Sequence, residues 1–252
     1  MEEQTNIENK DKCLSLTQKN EEGIYIITRK DGRKYSVRAD RRRYFFPQEW
    51  KDFSKQFKED SKHYLFFLTL LHTGARAMEA LNLRVNNFNF ERNIVTFDTV
   101  KQRKAKKTFY ATGRTRTFFI STNCLDKVKK YAKKNNLKET DYIFLDNSEL
   151  PKNYQHMENN EKIKYYQKTE TAYAELFKRK VKKSGIKDWK QFSLHNIRKT
   201  YGNWMRLYDI RMEELCYRMG HDIETYLAHY GSSLIFSPQE KLEIMKIMGE
   251  VR

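Results

Sequence analysis

The sequence predicts a mainly helical domain with a small antiparallel β-sheet, an α+β fold, on three observations. Apolar residues recur at helical spacing over most of the chain from Pro47 onward. Two β-prone stretches, Ile94 to Val100 and Thr115 to Ser121, lie close together in its middle, and two shorter ones, Ile24 to Ile27 and Lys34 to Val37, flank Asp31-Gly32 near its start. At 252 residues with 38% hydrophobic and 14% aromatic content, the chain is long and apolar enough to bury one substantial core.

Taken in order, Met1 to Glu22 is polar and reads as a tail. The Asp-Gly pair favours a hairpin turn between the two short strands that follow. Arg38 and Arg41 to Arg43 suit either a phosphate contact or a solvated basic linker. These elements define an N-terminal extension over residues 1–45, and a main domain over residues 46–252. Pro47 is suited to a first helical turn, and Trp50, Phe53 and Phe57 share a face. The run Leu65 to Leu71 is apolar all round, as in a helix at the centre of a helical domain, and Gly74 is suited to end it. A further helix is expected near Ala75.

The two central strands are separated by the basic stretch Lys101 to Lys107. Helical spacing resumes with Leu125, Val128 and Ala132, then Tyr173, Leu176 and Phe177, then His195 to Leu207 and Met212 to Met219. Pro151 to Lys168 lacks clear periodicity and reads as a long loop. Ser237-Pro238 supplies an N-cap and first-turn proline for a terminal helix bearing Leu242, Ile244, Met245 and Met248.

Lys and Arg number 50 against 33 Asp and Glu, a formal charge of +17. Such an excess points to a polyanionic partner, nucleic acid before an anionic membrane. The longest strongly apolar run, Tyr64 to Leu71, is too short to span a bilayer, and Met1 to Asn20 lacks the apolar core of a signal peptide. An intracellular, DNA-bound protein is expected. Cys13, Cys124 and Cys216 stand far apart, which argues against a disulfide framework or a cysteine-rich zinc site.

Three clusters carry chemistry. Thr73-Gly74-Ala75-Arg76-Ala77-Met78-Glu79 places Arg76 after a helix break, with Glu79 three positions on and able to orient its guanidinium. In His195-Asn196-Ile197-Arg198, His195 and Arg198 share a helical face. Met219-Gly220-His221 leads to His229-Tyr230-Gly231, with 23 positions from Arg198 to His221 and nine from His221 to Tyr230. Singly, each has a structural reading: a salt bridge, a hydrogen-bonded histidine, one of 16 tyrosines.

In this order and spacing the clusters resemble the tyrosine recombinase and integrase family, with its Thr-Gly-x-Arg-x-x-Glu segment, His-x-x-Arg, and Gly-His followed by a tyrosine. The resemblance covers roughly residues 43–252. It implies the tyrosine recombinase catalytic-domain fold, preceded here by the short hairpin extension, and a site-specific recombinase acting on double-stranded DNA. It implies Tyr230 as nucleophile, a 3′-phosphotyrosine intermediate with a free 5′-hydroxyl, no metal or nucleotide cofactor, and a homotetramer on paired sites. Arg76 and Arg198 suit the transition-state oxygens, because guanidinium stays charged and pairs bidentately with phosphate. His195 is the candidate proton acceptor and His221 a second donor. The resemblance also implies a lysine general acid on the loop between two strands, here Lys101, with Arg103, Lys104, Lys106 and Lys107 as backbone contacts. The chain has little room for the helical core-binding domain many members carry in front. A catalytically silent DNA-binding regulator and a type IB topoisomerase-like nicking and closing enzyme are the alternatives.

Overall fold

The computed structural model describes residues 15–19, 24–28, 34–38, 44–103, 108–157, 159–223, 226 and 236–250. The chain divides into two compact units, Met1–Arg42 and Arg43–Arg252. The smaller is a three-stranded antiparallel sheet of β1 (Ser15–Lys19), β2 (Ile24–Thr28) and β3 (Lys34–Arg38), with β2 in the middle. The β2–β3 pair runs in register from Ile24↔Arg38 to Thr28↔Lys34. It joins the two stretches expected to pair, while the Asp31-Gly32 turn lies outside the described residues. β1 corrects the reading of residues 1–22 as a tail. Ladder hydrogen bonds come from the backbone, so a polar segment such as Ser15–Lys19 completes the open edge of β2 without an apolar pattern.

The larger unit is mainly helical. Its elements are α1 (Pro47–Ser54), α2 (Lys62–Thr73), α3 (Ala77–Leu81), β4 (Phe88–Asn89), β5 (Ile94–Arg103), β6 (Thr108–Phe119), α4 (Thr122–Lys134), α5 (Asn159–Lys183), α6 (Leu194–Trp204), α7 (Met212–Met219) and α8 (Pro238–Met248). β4, β5 and β6 form an antiparallel sheet in that order. α2 is the central helix: every residue from Leu65 to Thr73 is buried, and it packs against α4 and α6. Ser61 starts it by accepting a hydrogen bond from the Tyr64 N–H, and Gly74 ends it in the left-handed conformation, as the apolar run predicts.

An aromatic cluster ties the entry of the chain to this centre. Phe45 meets Trp50, Phe53, Phe177 and Phe192 with ring centroids 4.7–6.1 Å apart, contacts that contribute roughly 0.5–1.5 kcal/mol each beyond burial. Its backbone N–H donates to Thr200 Oγ1 at 2.9 Å and its carbonyl accepts from Trp204 Nε1 at 3.1 Å, so the strap before α1 is sewn onto α6.

Two boundaries differ from the sequence expectation. The helix α5 begins at Asn159, inside the stretch read as a loop. That stretch holds neither Gly nor Pro after Pro151, but its Lys- and Glu-rich start obscures the apolar stripe. The stripe continues through Tyr173, Phe177 and Val181, and Tyr166 reaches across to donate to Asn82 Oδ1 at 2.6 Å. The β5–β6 hairpin also runs further than expected: pairing continues through Lys101↔Tyr110 to Arg103↔Thr108. Thr108, Phe109 and Tyr110 are strong strand formers, and continued pairing satisfies backbone groups that a basic connection would leave to water. At the other end of the chain α8 carries a full capping box, Ser237 Oγ accepting from Glu240 N–H and Glu240 Oε2 from Ser237 N–H. Ile244 and Met248 pack into its own unit, while Leu242 and Met245 stay exposed.

A histidine in the core predicts how stability depends on pH. His72 on α2 is buried, with Nδ1 2.7 Å from Ser121 Oγ, and Nε2 has no hydrogen-bond partner among the described residues. Burial pushes its imidazole down to about 3. The unfolded chain therefore binds a proton that the folded one refuses, and stability present above about pH 6.5 is lost as pH falls toward 3. At pH 5 the loss from this group reaches up to about 2 kcal/mol. Urea titrations of wild type and His72→Gln between pH 7.5 and 5 are expected to show a flatter profile in the variant; parallel profiles would remove His72 as a cause.

Candidate active site

Two helix ends and two helix starts meet at one place. α2 ends at Gly74, and the chain turns into α3 with Arg76 at its N-cap. α6 presents His195 and Arg198 one turn apart, and α7 ends at Gly220, also left-handed, just before His221. The sequence clusters that lie far apart along the chain thus converge.

Arg198 is the joint. Its residue is 1% exposed, and its guanidinium donates from Nη1 to the Gly74 carbonyl and from Nη2 to the Met219 carbonyl. Both acceptors lie at helix C-termini, where carbonyls lack intrahelical partners and the helix dipole favours a cation. The same Nη2 lies 2.6 Å from His221 Nε2. Guanidinium only donates, so Nε2 accepts and the neutral ring carries its proton on Nδ1. Burial, and then the fields of Arg198, Arg76 and His195, push His221 down to about 3, which keeps it neutral at physiological pH.

Arg76 is the open cation, its side chain 31% exposed. Nη1 pairs with Glu79 Oε1 at 2.9 Å and Nη2 reaches the Gly220 carbonyl at 3.4 Å. Glu79 Oε2 accepts from the Arg76 backbone N–H at 2.9 Å, so one carboxylate caps α3 and orients the arginine. His195 is exposed on the first turn of α6, close enough that a proton taken up by its ring acts on His221.

The structure therefore brings Arg76, Glu79, His195, Arg198 and His221 together. Lys101 lies within β5 opposite Tyr110, and Arg103 at its end opposite Thr108. Lys104, Lys106, Lys107 and Tyr230 lie outside the described residues. Ahead of Tyr230, the buried Tyr226 donates to the Gly202 carbonyl at 2.7 Å, fastening the segment after His221 to α6.

Sequence reasoning missed Arg116. On β6 it pairs in register with Phe97 and lies 5% exposed, its Nη2 2.8 Å from Glu79 Oε2 and its Nη1 donating to the Arg218 carbonyl at 2.6 Å. The signal was present: in Thr115-Arg116-Thr117-Phe118, strand alternation turns Arg116 inward with Phe118, a charge at a core position.

The fold is that of a tyrosine recombinase catalytic domain. The structure is similar to that of XerA recombinase, with a TM-score of 0.55 and 16% identity over 82% of this chain and 64% of that one. It is also similar to the Tn1549 transposon integrase in complex with transposon right end DNA, with a TM-score of 0.58 and 18% identity over 84% of this chain and 68% of that one. The chain thus spans about two thirds of the length of these proteins. No curated protein matches it. The phage integrase family model matches residues 48–234, and the chain belongs to the phage integrase family.

Proposed function

We propose that the chain is a site-specific DNA recombinase or integrase that cuts and rejoins DNA through Tyr230, without metal or ATP. The observation that carries this reading is the convergence of Arg76, Arg198, His195 and His221 on one site, with Arg76 more than a hundred residues ahead of the other three in the chain. A phosphodiester repels nucleophiles, and its pentavalent transition state carries charge on the nonbridging oxygens. Arg76 is open to that phosphate, Arg198 adds a second positive charge at the base of the site, and neutral His221 supplies an N–H through Nδ1.

In this mechanism the Tyr230 hydroxyl gives its proton to His195 and its oxygen bonds to phosphorus. The bond from phosphorus to the 5′-oxygen breaks, and that oxygen takes a proton from Lys101, leaving a 3′-phosphotyrosine and a free 5′-hydroxyl. The linkage keeps the bond energy, so a 5′-hydroxyl from a second duplex reverses the step on the new partner. Arg103, Lys104, Lys106 and Lys107 contact the DNA backbone, and their share of the affinity falls with salt. The partner is double-stranded DNA, bound by four copies on paired sites. The exposed Leu242 and Met245 on α8 support an interface between copies, and the +17 charge supports binding to DNA.

The test is incubation of wild type and Tyr230→Phe with a suicide duplex, nicked near the scissile position and drawn from the gene's own surroundings, followed by denaturing electrophoresis. Wild type is expected to form a shifted covalent band that Tyr230→Phe lacks. A band of equal strength in both proteins would move the nucleophile elsewhere.

A further inference from the structure

We propose that Arg116 is a positioning residue that keeps the charge of Arg76 available to the phosphate, an inference that rests on the strand-transfer reading of the site. The argument is one of charge and reach. Glu79 is buried, and both its oxygens are used in holding Arg76. Alone with Arg76, that carboxylate would form a neutral pair, and an incoming phosphate would meet a guanidinium already half satisfied. Arg116 enters from β6 as a second cation on the same carboxylate, 2.8 Å from Oε2. The group of Glu79, Arg76 and Arg116 then carries one net positive charge. Since the Arg116 side chain is 6% exposed and that of Arg76 31%, the surplus is presented through Arg76. Low-dielectric surroundings make this balance count for more than it would at the surface.

The second contact of Arg116 gives it a geometric role. It donates to the Arg218 carbonyl in the last turn of α7, directly before Met219-Gly220-His221. A Cβ built on Gly220 would lie 2.9 Å from Arg116 Nη1, so the turn that delivers His221 closes over this guanidinium. One side chain thus links the strand hairpin that contains Lys101, the carboxylate behind Arg76 and the turn before His221. Lysine keeps the charge but replaces the planar fork, whose Nη1 and Nη2 meet the two partners from fixed positions, with a single ammonium on a flexible stem.

The test compares Arg116→Met, Arg116→Lys, Glu79→Gln and the double variant Arg116→Met/Glu79→Gln. Single-turnover adduct formation at saturating suicide duplex is measured alongside DNA affinity and melting temperature. Arg116→Met is expected to slow cleavage about 100-fold, the size of losing one preorganised donor, with DNA affinity unchanged. The double variant is expected to recover about tenfold over Arg116→Met, a difference of about 1.4 kcal/mol, because removing the carboxylate frees Arg76 again. A purely structural role predicts the reverse, since the double variant loses two buried partners. A double variant no faster than Arg116→Met overturns the proposal. If Arg116→Met does not fold, Arg116→Lys decides: it keeps the charge and is expected to cleave faster than Arg116→Lys/Arg76→Ala and more slowly than wild type, whereas cleavage equal to wild type removes the need for the fork. A parallel thermal-shift titration with orthovanadate, with Arg76→Ala as blank, reads the oxyanion site independently of any DNA. Stabilisation of wild type and of the double variant, but not of Arg116→Met, is expected; equal shifts in wild type and Arg116→Met overturn the proposal. Absence of adducts from wild type would instead defeat the strand-transfer reading, leaving the vanadate comparison to decide Arg116.

Discussion

Arg198→Ala is expected to abolish adduct formation and to lower stability by about 3 kcal/mol, because this arginine holds the frame of the site as well as its charge. Its removal leaves the carbonyls of Gly74 and Met219 without their guanidinium partner, and burial makes each unsatisfied group cost roughly 1–3 kcal/mol. It also takes the donor from His221 Nε2, so the ring loses what fixes its orientation. Arg198→Lys is expected to regain part of the stability but little of the cleavage, since a single ammonium on a flexible stem replaces the rigid fork that meets the ends of α2 and α7 from two nitrogens. The control is Arg76→Ala, whose partly exposed side chain leaves one buried Glu79 oxygen rather than two carbonyls without a partner: cleavage should fall with a loss of about 1 kcal/mol, smaller than that of Arg198→Ala. Urea denaturation with the suicide-duplex assay separates the two roles. An Arg198→Ala protein as stable as Arg76→Ala would show that the two carbonyls find other partners at little cost.

Much of this site was legible because its parts are local. Arg76 with Glu79, and His195 with Arg198, each lie three residues apart, a separation that helical geometry turns into shared faces. Gly74 and Gly220 announce helix ends, and the apolar run at Leu65 to Leu71 announces the central helix. What stayed hidden depends on partners distant in the chain. β1 pairs through backbone atoms that any polar residue carries. The start of α5 follows from the absence of helix breakers and from Tyr166 finding Asn82, neither of which periodicity records. Arg116 looked like one more basic residue among 50 until strand alternation was combined with the position of Glu79. The role of Lys101 was tied to the end of a strand, and the strand runs on to Arg103 because Thr108 to Tyr110 continue the ladder.

Gly74→Ala is expected to be as damaging as the loss of a catalytic group, although Gly74 has no side chain to act with. Its φ of +60° is costly for alanine, by about 1 kcal/mol. Space is the larger obstacle: a Cβ there would fall 2.3 Å from Cδ1 of Tyr201 and within 2.9 Å of two more ring atoms. The ring cannot swing away, because Tyr201 is buried on α6 and hydrogen-bonded to the side chain of Arg218. Relief requires α6 to shift, and α6 carries His195 and Arg198, whose acceptor is the Gly74 carbonyl itself. Overpacking of this kind costs roughly 1–3 kcal/mol, so the total reaches about 2–4 kcal/mol. Cleavage should fall further than stability alone explains. Gly74→Asn separates the two causes: asparagine tolerates the left-handed backbone but keeps the Cβ, so it should be nearly as damaging. Tyr201→Leu, which removes the ring, should reduce the cost of Gly74→Ala in a double-mutant cycle. If Gly74→Asn behaves like wild type, backbone strain and not the ring against α6 is what glycine relieves at this position.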